Sequence, residues 1–396
     1  MMMRQHDFDA PVVRRNTNCV KWDCEEAQGA IPMWVADMDF RVAQPIVETL
    51  MKRVEHGVFG YTYVPQAYYD SIIRWFDSRH KWLIDSEWII YTSGVVPALS
   101  AVIKALTLPG DKVLIQTPVY NCFFSSVLNN GCQVVENPLI YENNTYHIDF
   151  DDLERKAADT RIRLLVLCNP HNPAGRVWTV KELQHINDIC QRNGVRVVAD
   201  EIHCELVMPG YRYTPFASVL SDGLDKSDKT LWPITLNSPS KSFNIAGLQI
   251  ANIICIDKVV RERINRAINI NEVCDVNPLG VEALMAAYNK SGWWIDQLCG
   301  YIKDNYECLR TYIAEQLPEV KVTTLEGTYL VWLDIRQLGI SSDEVTERLL
   351  KEGKLMVNSG TMYGEQAGEG FIRINIACPR SQLTKALERM RMVLAK

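Results

Sequence analysis

Between Asn237 and Gln249 the chain reads NSPSKSFNIAGLQ, which sets one lysine, Lys241, among serines and small residues. An apolar run, LWPITL, precedes this stretch and a second, IANIICI, follows it. Both have the length and β-branched content of buried strands, so Lys241 is expected near a strand end, its amine aimed into the protein or a cleft. A carboxylate holds a similar place at Asp200, after the apolar run VRVVA and within DEIHCEL. Such a buried acid needs a partner, because an isolated charge is costly to remove from water. After EWIIYT comes SGVV at the start of a helical pattern, where free N–H groups suit a phosphate. NPHNPAGRVW follows RLLVLCN and exposes asparagine side chains at a further strand terminus, while Ser238 and Ser240 add hydroxyls beside Lys241.

Taken singly, each of these features also has an ordinary structural reading: a capped helix start, half of an ion pair, a proline-rich turn. Together they offer an amine for an aldehyde, an acid for a ring nitrogen and a cradle for an anion. Pyridoxal phosphate needs all three.

The elements that must position these groups alternate along the chain. From about Glu87, strand-like EWIIYTS, KVLIQ, QVVENPLI, RLLVLCN, VRVVADE, WPITLN and IANIICI are interleaved with helical patterns. One helix is expected over GVVPALSAVIKALTL, a short one near Cys122 to Asn129, one after Asp149 as cap, and one over TVKELQHINDICQRNG. The last carries Thr179 as cap, Glu182 three residues on, and Gly194 as its stop. Apolar strands alternating with amphipathic helices predict a mostly parallel α/β sheet covered on both faces, with ligands outside the carboxyl ends of the strands. From about Gly292 the pattern changes to a long helix, then KVTTLEGTYLVWLDI, a helix from Ser342 to Glu352, GFIRINIAC and a last helix, which reads as a smaller α+β domain. The expected division is 1–45 as a segment wrapping onto the small domain, 46–285 as the large domain and 286–396 as the small one.

Composition sets the class. The chain has 396 residues, 47% hydrophobic and 23% charged, and a net charge of −6, which argues against nucleic acid or an anionic membrane as partner. The polar start MMMRQHDFDAPVVRRN has no apolar core of signal-peptide length, and no run approaches the ~18 apolar residues of a membrane span. Twelve cysteines are scattered without a CxxC, some inside apolar runs as at Cys168 and Cys255. Reduced thiols in a cytoplasmic protein are expected, with no metal site.

The chain resembles the class I/II aminotransferase superfamily, of pyridoxal-phosphate fold type I, over nearly its whole length. Within it the closest resemblance is to the MalY/PatB-type cystathionine β-lyases, or C–S lyases. The motifs that carry it are IPMWVADMDF, HGVFGYTY, TSGVVPAL, CNPHNPAGRVW, DEIHCEL, SPSKSFNIAGLQ, EGTYLVWLDI and FIRINIACPR. WVADMDF with DEIH is specific to the subfamily, whereas NPxNP and SK belong to the whole superfamily. The resemblance implies that Lys241 is the Schiff-base lysine and moves the Cα proton, that Asp200 faces the pyridine nitrogen, and that Asn172 bonds the phenolic oxygen. It implies Tyr120 on the ring face, and Ser238, Ser240, Gly94 and Val95 around the phosphate. Tyr61 would reach the phosphate of a neighbouring subunit in a homodimer. Arg373 and the backbone near Ala36 would take the substrate carboxylate.

Two departures from the general aminotransferase pattern bear on the reaction. His203 stands three residues after the ring aspartate, where many aminotransferases have tyrosine, and Gln249 stands where many have a phosphate-binding arginine. His203 reads either as a cofactor contact or as a satisfied strand-end histidine. The expected activity is β-elimination from L-cystathionine or L-cysteine-type substrates to pyruvate, ammonia and a thiol. Transamination is the alternative, and a regulatory protein on the same fold a more distant one.

Overall fold

The computed structural model describes residues 5–220, 231–270 and 275–395. Seven strands form the main sheet: β1 (Ile89–Thr92), β2 (Lys112–Ile115), β3 (Gln133–Glu136), β4 (Ile162–Cys168), β5 (Arg196–Asp200), β6 (Ile234–Asn237) and β7 (Ala251–Cys255). Their order is β1-β7-β6-β5-β4-β2-β3. Only β7 runs antiparallel, to both β1 and β6; the other neighbours are parallel. The expected mostly parallel α/β sheet is therefore present.

Alternation within each strand explains why the runs are apolar throughout. Leu164 and Val166 of β4 join Val113, Ile115, Val198 and Leu236 in one core, against the helix Val95–Leu106. Leu165 and Leu167 point the other way and join Leu114, Val197 and Ala199, against the helix Val180–Asn193. Truncating the fully buried Leu165 to alanine is expected to cost about 2–5 kcal/mol. The helix ends follow local chemistry. Thr179 and Glu182 form a reciprocal capping box, and Gly194 closes that helix at φ 70°, a conformation a side chain disfavours. Asp149 caps its own helix by accepting from the Asp152 amide.

One expected strand divides. QVVENPLI yields β3 and then a separate hairpin strand, Ile140–Glu142, paired with Thr145–His147. Pro138 lies between them, and proline can neither donate to the ladder nor leave the preceding residue free.

The C-terminal part has a four-stranded antiparallel sheet, ordered Lys321–Val322, Leu330–Asp334, Phe371–Asn375, Asn358–Ser359. Helices Gly292–Gln316, Ser342–Lys351 and Arg380–Leu394 accompany it. The N-terminal segment meets this part of the chain: Ile31–Pro32 pairs in parallel with Leu355–Met356. Helix Pro278–Lys290 packs against Gln44–Glu55 and Gln66–His80, and residue 286 falls inside it. Among the described residues, no helix is long and apolar enough to cross a membrane.

Candidate active site

Five strand ends open on the same edge of the sheet. Because β1, β2, β4, β5 and β6 run in one direction, Gly94, Tyr120, Asn172 and Lys241, which follow carboxyl termini of strands, lie at the same edge as Asp200, which forms one. Lys241 is set by local capping. Ser238 is the N-cap of the short helix Pro239–Ser242, its Oγ accepting from the Ser240 amide at 3.0 Å and donating to the Ile250 carbonyl at 2.5 Å. Pro239 fits the first helical position, where no N–H is needed. Lys241 then projects from this turn, and its Nζ donates to the Ala36 carbonyl at 2.7 Å. Burial brings its pKa down to about 8; Asp37 opposes the shift and Arg373 adds to it.

Asp200 ends β5 and is buried, and among the described residues its carboxylate has one hydrogen bond, from the Ile202 amide at 3.1 Å. Burial pushes its pKa up to about 7, and the Ile202 amide and the Lys241 charge offset only part of that. His203, also buried, is driven down to about 3 by burial, then by Lys241 and Arg373. Its Nδ1 has no hydrogen-bond partner among the described residues, so it is not a satisfied histidine. Arg373 lies in the strand Phe371–Asn375. Its guanidinium donates to Asn172 Oδ1 at 3.2 Å and to the Trp34 carbonyl at 2.7 Å, and sits 4.8 Å over the Tyr363 ring. Its Nε has no partner among the described residues. Burial raises the Tyr120 phenol, with Cys122 and Asp200 adding to the rise and Arg373 opposing it.

Ala36, Tyr120, Asn172, Asp200, His203, Lys241 and Arg373 thus share one neighbourhood. Gly94, extended, starts the helix at Val95 with no side-chain cap, leaving its first amides free of such a partner. Tyr61 does not join the group within one chain; it is 98% exposed, in a stretch with exposed Val58, Phe59 and Tyr63. Gln249 takes a left-handed turn conformation at φ 49° and ends the stretch that begins at Ser238.

Several neighbours carry no role in the sequence reading. Asn375, two residues beyond Arg373 on the same strand face, donates to the Val35 and Asp37 carbonyls, both at 2.6 Å. Asn244 bonds both the amide and the carbonyl of Met38. Tyr329 donates to the Ala36 carbonyl at 2.9 Å. The alternation of FIRINIA could have pointed to Asn375; nothing local to Asn244 or Tyr329 indicates its partner.

The residues fit the group that the resemblance implied. A desolvated acid with one amide partner suits a protonated ring nitrogen, an amine with a depressed pKa suits an aldehyde, and the orphan Arg373 Nε suits an anion. The family model described as aminotransferase class I and II matches residues 37–390. Cystathionine beta-lyase PatB of Bacillus subtilis (strain 168) is 42% identical, over 98% of this chain and 100% of its own length. Among solved structures, cystalysin from Treponema denticola, described as containing pyridoxal 5'-phosphate, has a TM-score of 0.93 at 35% identity, covering 99% of each chain. The pyridoxal-phosphate-bound C–S lyase from Staphylococcus hominis has a TM-score of 0.91 at 32% identity, covering 100% of this chain and 99% of its own. The chain belongs to the aminotransferase class I and II family.

Proposed function

We propose that this chain is a pyridoxal-phosphate-dependent carbon–sulfur β-lyase, splitting L-cystathionine and L-cysteine-type substrates into pyruvate, ammonia and a thiol. The observation that carries the reading is the meeting of Lys241, Asp200, Asn172 and Arg373 at one sheet edge, in a chain 42% identical end to end to a cystathionine beta-lyase.

When bound, pyridoxal phosphate supplies an aldehyde for an amine and a ring that takes up the electron pair left at Cα. Asp200 would face the ring nitrogen, Asn172 the phenolic oxygen, and Tyr120 a ring face, with His203 beside it. Ser238, Ser240 and the amides of Gly94 and Val95 would hold the phosphate. Lys241 does two jobs with one nitrogen. With its pKa near 8, a useful fraction of Nζ is neutral near pH 7, ready to attack a carbonyl carbon and later to take the Cα proton. Arg373 presents a planar fork, already oriented by Asn172 and Trp34, to the substrate carboxylate. Asp200, whose carboxylate has the Ile202 amide as its partner among the described residues, would hold a proton on the ring nitrogen and so favour the ring's uptake of that electron pair.

The alternative, transamination, is favoured by the family's description and by a site whose first steps are common to both reactions. His203 and Gln249 support the lyase reading. The intact set of four residues argues against a regulatory protein that has lost its chemistry. The reading extends to a homodimer in which Tyr61 completes the neighbour's phosphate site, to a cytoplasmic location, and to the division 1–45, 46–285 and 286–396. The experiment is to mix purified protein with L-cystathionine and no keto acid. Pyruvate and thiol are expected in equal amounts; a requirement for a keto-acid acceptor, with no pyruvate, would replace this reading by the aminotransferase.

A further inference from the structure

The strap Trp34–Met38 is held by side chains at each of its carbonyls. Trp34 accepts from Arg373 and Asn358, Val35 from Asn375, Asp37 from Asn375 and Lys21, and Met38 from Asn244 and Arg14. The Ala36 carbonyl accepts from Lys241 and from Tyr329. Lys241 is the donor with other work to do, because an amine engaged by the cofactor cannot keep its bond to Ala36.

Tyr329 is built into place. It is fully buried, and Thr328 before it is held at φ 71°, a left-handed conformation that a β-branched residue rarely adopts. Gly327 passes so close to its surroundings that a Cβ would meet Val177 Cγ2 at 2.8 Å, Pro170 Cβ at 2.9 Å and the Leu206 carbonyl at 3.1 Å. The Thr328 amide is fastened to the Leu206 carbonyl at 2.6 Å, and the Tyr329 carbonyl accepts from the Ile376 amide at 3.0 Å. This backbone aims the Tyr329 hydroxyl at Ala36 and sets its ring edge-on to His203, 6.0 Å between centroids.

We propose that Tyr329 is a positioning residue that holds the Ala36 carbonyl when Lys241 lets go, so that the strap stays seated beside Arg373 through the reaction. The inference rests on the reading that Lys241 carries the cofactor. Its signature is a dependence on which donor is present: either one suffices, and loss of both frees the strap at Ala36 while its other carbonyls stay held.

The test is hydrogen–deuterium exchange of peptides spanning residues 33–40, on cofactor-loaded and cofactor-stripped forms of wild type and Tyr329→Phe. In loaded Tyr329→Phe both donors are gone, and exchange at the Asp37 amide, in the same peptide plane as the Ala36 carbonyl, should rise by about tenfold. In stripped Tyr329→Phe, Lys241 still holds Ala36, and exchange should match wild type. The loaded variant should show KM raised several-fold with kcat within about twofold, as expected for lost ground-state positioning. Equal exchange in loaded wild type and variant, or an equal rise in both forms of the variant, would overturn the proposal. If borohydride trapping finds Lys241 unmodified, the comparison moves to Lys241→Ala against Lys241→Ala/Tyr329→Phe. There the double variant alone should open the strap, and equal exchange would overturn the proposal independently of the cofactor reading.

Discussion

Two buried carboxylates, Asp200 and Glu205, lie five positions apart in the chain and differ in every partner. Burial pushes Glu205 up as well, but His80 at 2.6 Å, Arg79 at 3.0 Å and Trp75 Nε1 at 2.7 Å hold it below the ordinary carboxylate range. Among the described residues Asp200 has one amide, and burial pushes it up to about 7. Burial raises both acids, yet the outcomes are opposite, and the deciding factor is the supply of partners. A fully partnered acid is structure; an under-partnered one beside an amine and an orphaned guanidinium is a place kept for something else.

The largest expected effect comes from the amine at the centre of the under-partnered group. Lys241→Ala should lower elimination by at least about 10²–10⁴-fold, the range for removal of a positioned proton-transfer group, measured as pyruvate release. Activity within tenfold of wild type would assign the proton to another base. Arg373→Ala should reduce kcat/KM by about 30-fold to several thousand-fold, because losing one partner of a desolvated ion pair costs roughly 2–5 kcal/mol. An effect under about threefold would make Arg373 structural.

Two near-isosteric changes should separate the two acids. Glu205→Gln should destabilise the fold by about 3 kcal/mol in denaturant unfolding, because Arg79 loses its buried counter-charge and Trp75 a charged acceptor. Asp200→Asn in cofactor-free protein should be neutral or stabilising at pH 8, since it removes a desolvated charge. Asp200 binds its proton more tightly folded than unfolded, so its contribution weakens the fold as pH rises from about 4 to about 7. Glu205 binds its proton less tightly folded, so its contribution is full above about 4.3 and is lost as pH falls. Asp200→Asn should flatten the first slope, leaving the part due to Glu201, which burial raises to about 8. An unchanged slope would mean that Asp200 is paired in solution.

The smallest expected signal is complementation. Mixed Tyr61→Phe and Lys241→Ala proteins, each inactive alone, should regain at most about a quarter of wild-type activity through hybrid dimers with one native site. No recovery from proteins shown to exchange subunits would remove Tyr61 from the shared site.

The legible parts of the sequence were those governed by neighbours in the chain. β4 could be read from LLVLC alone, and the ends of helix Val180–Asn193 from Thr179, Glu182 and Gly194. Lys241 and Asp200 were visible because a charge at the end of an apolar run needs a reason. The strap was not visible, since Trp34–Met38 has no period and its carbonyls are held from far away, Lys241 lying 205 residues from Ala36 and Arg373 339 from Trp34. Tyr329 stood in a quoted motif, yet its role depends on a backbone turn that only packing reveals. Tyr61 is exposed in the single chain, and the role proposed for it depends on a second copy.

The most direct test of the central claim, that the under-partnered group is a cofactor site built around Lys241, is borohydride reduction of the protein loaded with pyridoxal phosphate, followed by peptide mapping. A visible absorbance that reduction abolishes and a single reduced adduct on Lys241 are expected. An adduct on any other lysine, or no chromophore in folded protein supplied with pyridoxal phosphate, would contradict it.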